Sequence, residues 1–83
     1  MEWKMSIYIE QLREQAGLGG PGAALANELL VITEQHEQGL LSDDEYSFLV
    51  IDIADMRAEA EIANDEIACR FIINAAMALS QFA

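Results

Sequence analysis

"RAEAEIANDEIACRF", residues 57–71, decides whether the second half of this chain is one long helix or two. Alanines and carboxylates alternate here with isoleucines, and neither Gly nor Pro occurs from Asp43 to Ala83. Tyr46, Leu49, Ile53, Met56, Ala60, Ala63 and Ile67 recur at steps of three and four, the spacing of a coiled-coil seam. After Ile67 the phase slips by one, to Phe71, Ala75, Ala78 and Phe82, and apolar residues surround the axis. The pattern predicts a continuous helix from Asp43 onward, with Asn64-Asp65, a passable N-cap pair, as the alternative breaking point. A helix of ~40 residues would be ~60 Å long, whereas a preceding helix of ~17 residues covers only ~25 Å. An all-round apolar helical end belongs in a buried place, and in so small a chain that place is expected to be an interface between copies. The expected oligomer contacts are Leu49, Ile53, Met56, Ile67, Phe71, Ala75, Ala78 and Phe82.

Upstream, "QGLLSDDEY" at 38–46 carries the clearest local signal. Gly39 stands where a residue ending a helix takes positive φ. Ser42 and Glu45 form an S-x-x-E capping box, and Leu41 and Tyr46 occupy the positions of a hydrophobic staple. Asp43 and Asp44 suit the positive end of the helix dipole. The stretch "GLLSDDEY" with its flanking helices resembles the helix-turn-helix of short bacterial oligomerisation domains of the SHOCT type. That resemblance covers the turn and its immediate flanks, and implies self-association.

"GLGGPG" at 17–22 holds four of the five glycines and the only proline, and so separates two elements. Before it, Met1, Met5, Tyr8 and Leu12 mark one helical face over residues 2–16; alternation of Trp3, Met5, Ile7 and Ile9 offers a competing strand. After it, Leu25, Leu29, Ile32 and His36 form the stripe of a helix over 22–38, with Pro21 near its start. The predicted fold is all-α: a short N-terminal helix plus an antiparallel helical hairpin with a long C-terminal helix, in an oligomeric helical bundle. Residues 1–16 form the N-terminal helical segment, 17–22 a glycine-rich hinge, and 23–83 the hairpin and oligomerisation domain.

Composition narrows function. Four Lys+Arg against 15 Asp+Glu give a formal charge of −11. Direct nucleic-acid binding needs a cationic footprint, and anionic membrane surfaces attract basic segments. An acidic chain suits a basic protein partner instead. Cys69 is the only cysteine, so no disulfide closes within the chain, and a small buried hydrophobe in a reducing cytoplasm is expected. One Cys and one His give no zinc-type spacing. Residues 1–16 lack the apolar core of a signal peptide, and "IACRFIINAAMALSQFA" is too short and polar for a membrane span.

The acids themselves fall on a strip. At 100° per residue Asp52, Asp55, Glu59 and Glu66 share one side of the predicted helix, beside the seam. Glu66 precedes Arg70 by four residues, the favourable order for an ion pair, and Arg57 stands four before Glu61. This is either the solvated flank of the stripe or a ridge shaped for a basic site on another protein. A carboxylate-bridged di-metal centre needs Glu-x-x-His on facing helices, but in "ITEQHEQ" Thr33 stands three before His36. "GLGGPG" matches G-x-G-x-x-G in letters, yet lacks the preceding strand. A weaker anion site at a helix N-terminus would use Gly19, Gly20 and Gly22, with Arg13 or Lys4 supplying charge. His36 reads as a satisfied seam residue and Ser42 as a cap, not a nucleophile. Trp3 and Ile7 lie off the stripe of their own helix, as aromatic and aliphatic anchors at an interface do.

The expected function is non-enzymatic, with no metal or cofactor. The chain reads as a small acidic homo-oligomer that binds and modulates another protein, of the inhibitor or adaptor type. Chains of this size and charge are frequent among phage and mobile-element accessory proteins. The alternatives are an oligomer that sequesters a small anionic ligand or nucleotide, and a structural scaffold component.

Overall fold

The turn at 38–45 forms from the bonds its sequence allows. Gly39 adopts φ +80°, and the amides of Gly39 and Leu40 donate to the carbonyls of His36 and Gln35, closing the preceding helix in a Schellman motif. Ser42 Oγ accepts from the Glu45 amide at 3.1 Å, and Glu45 Oε1 accepts from the Ser42 amide at 2.8 Å. The Ser42 amide, and after it the hydroxyl, holds the Glu45 carboxyl below the ordinary carboxylate range. The capping box is therefore complete.

In the computed structural model, which describes the backbone of residues 2–81 and the side chains of residues 7–81, every regular element is helical. They are α1 (Glu2–Leu18), α2 (Ala23–Glu37), α3 (Asp43–Asp52), a π-helical segment (Ile53–Arg57), α4 (Ala58–Ile62) and α5 (Glu66–Ser80). The α3, π and α4 segments run on without a turn, so the described residues make four helical rods. Residues 3–9 are helical, not an alternating strand.

The continuous helix expected past Asn64 does not form. Residues 63–65 turn the chain, and Asp65 takes extended backbone angles, φ −122° and ψ 92°. Its carboxylate accepts from the Ala68 amide at 3.0 Å, and its carbonyl accepts from Cys69 at 2.9 Å to begin α5. The physical reason lies in what the turn buries. Folding α5 back places Ala68, Cys69, Ile72, Ala75, Ala76 and Leu79 in the core, where a straight rod would leave them in water. The longest dimension of the molecule is 34 Å, against ~60 Å for a helix of ~40 residues. The radius of gyration, 11.7 Å, is that of a closed globule of this length (~11.8 Å).

The seam is also displaced. The rod over 43–62 turns Tyr46, Val50, Ile53, Ala54, Ala58 and Ile62 inward, while Met56, Ala60, Ala63 and Ile67 lie exposed. The cause is the π segment, in which the Ala58 amide bonds the Ile53 carbonyl. Its wider i→i+5 turn advances less per residue than an α turn. A row of residues four apart thus keeps to one side, where an ideal α-helix would carry it round.

One core joins all the rods. Leu12 of α1 is buried in it beside Leu25, Ala26, Leu29, Tyr46, Val50 and Ile72. Gly22 is buried in the α1–α2 turn, where an added Cβ would stand 3.2 Å from Gln15 Nε2, 3.4 Å from Ala68 Cβ and 3.7 Å from Ile72. Helix α5 touches α1, α2, α3, the π segment and α4 alike. Replacing Asp65 with alanine removes the cap that starts α5 and is expected to cost about 1 kcal/mol. Thermal unfolding should show this as a midpoint lowered by about 4–8 °C.

Candidate functional site

The outward side of the 43–62 rod is the candidate. With Tyr46, Val50 and Ile53 turned inward, helical geometry sends Phe48 the other way, and its side chain is 71% exposed. Asp44 stands one turn before it, Asp52 one turn after, and Glu45 and Ile51 flank it at three residues. Leu41, Asp44, Glu45, Phe48 and Leu49 line an open depression of about 410 Å³. Further along come Asp55, Met56 (66% exposed) and Glu59, all at the surface.

The sign of this face is uniform. Arg57 is the only basic residue from 43 to 62, and it is committed elsewhere. Its guanidinium donates through Nη1 and Nη2 to both carboxylate oxygens of Glu28 on α2, and through Nε to Glu61 at 3.0 Å. Among the described residues, Asp44, Asp52, Asp55 and Glu59 have no cationic partner. An apolar patch within unneutralised carboxylates results.

Other expected site residues disperse. Glu66 lies beyond the break and pairs with Arg70 at 2.9 Å. Around the corner it meets Glu59 across a notch of about 260 Å³, lined also by Ala63, Cys69, Arg70 and Ile73. Asp52, Asp55 and Glu59 remain on the rod. Of the residues expected between copies, Ile53 and Ala75 lie inside the chain's own core, and Leu49 and Phe71 pack against it. Ala78 is half-buried, Met56 and Ile67 are exposed, and Phe82 lies outside the described residues. Ile7 is exposed on α1, and the side chain of Trp3 lies outside the described part.

The glycine turn and Arg13 separate. Gly19 takes φ +70° and Gly20 is half-buried, while Gly22 is packed against Gln15 and α5. Arg13 lines a different cleft, of about 490 Å³, between α1 and α2, with Ile9, Asn27, Leu30, Val31, Thr33, Glu34 and Glu37. Its charged neighbours there are carboxylates. No three His, Cys, Asp or Glu side chains converge as metal ligands among the described residues.

His36 belongs to a latch. Its ring stacks on Tyr46 with centroids 4.3 Å apart and planes within 4°. Its Nε2 donates to Asp43 Oδ1 at 2.7 Å, since a carboxylate only accepts. Tyr46 and Thr33 share a buried hydroxyl–hydroxyl bond of 2.7 Å. These contacts tie α2 to α3 across the turn.

Phe48 is not among the residues the sequence marks for binding; Leu41 enters there only as half of a hydrophobic staple, and Asp44 and Glu45 only as helix-start residues. The available signal was Phe48 midway between Asp44 and Asp52 on the side opposite Tyr46 and Val50. No helix among the described residues is long and apolar enough to cross a membrane. Set against protein-family models, curated proteins and solved structures, the chain matches none of them.

Proposed function

We propose that this chain is a non-enzymatic acidic docking module that binds, and so modulates, another protein through a basic surface. The observation that carries the reading is the rod face from Asp44 to Glu59: five carboxylates with exposed Phe48 and Met56 between them, and the local cation turned away to Glu28. A chain of net charge −11 draws a basic partner by long-range attraction, which raises the association rate and falls with salt. Self-association has less behind it. The apolar face of α5 is covered within the chain, and two copies meeting on the acidic face would oppose like charges.

Reversing Asp52, Asp55 and Glu59 to lysine is expected to abolish capture of the partner while leaving the fold intact, because all three side chains lie at or near the surface. Affinity capture from the native cell followed by mass spectrometry, wild type against the triple variant, checks this. Undiminished capture by the triple variant ends the reading. Wild-type capture should weaken steeply as ionic strength rises and the Debye length contracts from ~10 Å at 0.1 M salt.

A further inference from the structure

We propose that the Phe48 face seats a basic amphipathic helix of another protein. One apolar side chain of that helix enters the depression formed by Leu41, Phe48 and Leu49; its lysines or arginines meet Asp44, Glu45, Asp52 and Asp55. The proposal rests on the docking-module reading and adds the mode of contact.

Three features of the face select this occupant. The apolar positions Phe48 and Met56 are eight residues apart on one rod, ~12 Å along its axis, the spacing of apolar residues two turns apart on a partner helix. The carboxylates flank the apolar positions as cations flank the apolar stripe of a basic amphipathic helix. No strand edge exists among the described residues, so an extended peptide would find no backbone to pair with. A second copy of this chain fits poorly, because an isologous contact sets this face against the same face, and so one row of carboxylates (Asp44, Glu45, Asp52, Asp55 and Glu59) against another. Nucleic acid is excluded by the same charges.

The test uses two labelled peptides of equal charge, LKKLLKLLKKLLKL and SKKSSKSSKKSSKS, titrated against the full chain by fluorescence anisotropy at physiological ionic strength. The leucine peptide is expected to bind about ten- to a hundredfold more tightly, the range for burying one large apolar side chain. Phe48→Ala should remove most of that difference and leave the serine peptide unaffected. Amide shifts on adding the leucine peptide should concentrate in residues 41–59. Equal affinity for both peptides, or an unchanged leucine-peptide affinity in Phe48→Ala, overturns the helix-seating proposal and leaves the docking module standing. Failure of both peptides to bind overturns both. Sedimentation showing a dimer that Phe48→Ala dissociates would assign the face to a second copy and likewise overturn the proposal.

Discussion

Truncation of Tyr46 to alanine is expected to remove about 3–5 kcal/mol of stability, much of the about 4–12 kcal/mol typical of a chain this long. Tyr46 is fully buried. Its loss would leave a cavity, the Thr33 hydroxyl without its 2.7 Å partner, and the His36 ring without its stack. Tyr46→Phe separates these effects. It keeps the ring and orphans only Thr33, at a cost of about 1–3 kcal/mol. Denaturant unfolding of both variants gives the two figures.

The same residue sets an alkaline limit. Burial pushes the Tyr46 phenol above its usual range; the Thr33 bond offsets part of this, and the charge of Glu37 adds to it. Below about pH 10 both folded and unfolded chains keep the proton, so the residue adds no pH dependence. As pH rises past that point the unfolded chain releases it first, and stability falls until the folded-state pKa is passed. Unfolding at about pH 8 and pH 11 should show this fall in the wild type, and a smaller one in Tyr46→Phe.

Ile72→Ala is expected to cost about 2–5 kcal/mol, by the same amount at every protein concentration. Ile72 is fully buried in α5, within the chain's own core. Were it covered by another copy, the loss would depend on protein concentration, as stability gained from association does. Ile67→Ala is the counterpart. Ile67 stands on the expected seam but is 85% exposed, and its truncation should change stability by no more than about 0.5 kcal/mol. Melting curves across a wide concentration range check both.

The contrast between those isoleucines shows what was legible. Ser42, Glu45 and Gly39 were readable because caps depend on a few neighbouring residues and on backbone angles. The α2 stripe of Leu25, Leu29 and Ile32 was readable because a regular α-helix keeps its phase, and all three are buried. Past Ile53 the phase depends on a π segment that no single residue type announces. The i, i+3 rule then selected Met56, Ala60 and Ala63, which face water. Asp65 was visible as a possible cap, but alanines and carboxylates on either side are good helix formers. The outcome there is decided by tertiary burial of Ile72, Ala76 and Leu79, a gain that local propensity does not register. For the candidate site, the acids were legible and Phe48 was not. Its exposure follows from which side of the rod the core claims.

Helix α5 is the piece against which every other rod closes, and it lies downstream of them all in the sequence. During synthesis the ribosome therefore releases Leu12, Leu29, Tyr46 and Ile53 before the segment that roofs them over. Until residues 66–80 follow, those apolar side chains lack the cover that α5 gives them in the folded chain, and uncovered apolar surface is what aggregation exploits. Closure of this core therefore waits on residues 66–80, the segment in contact with every other rod.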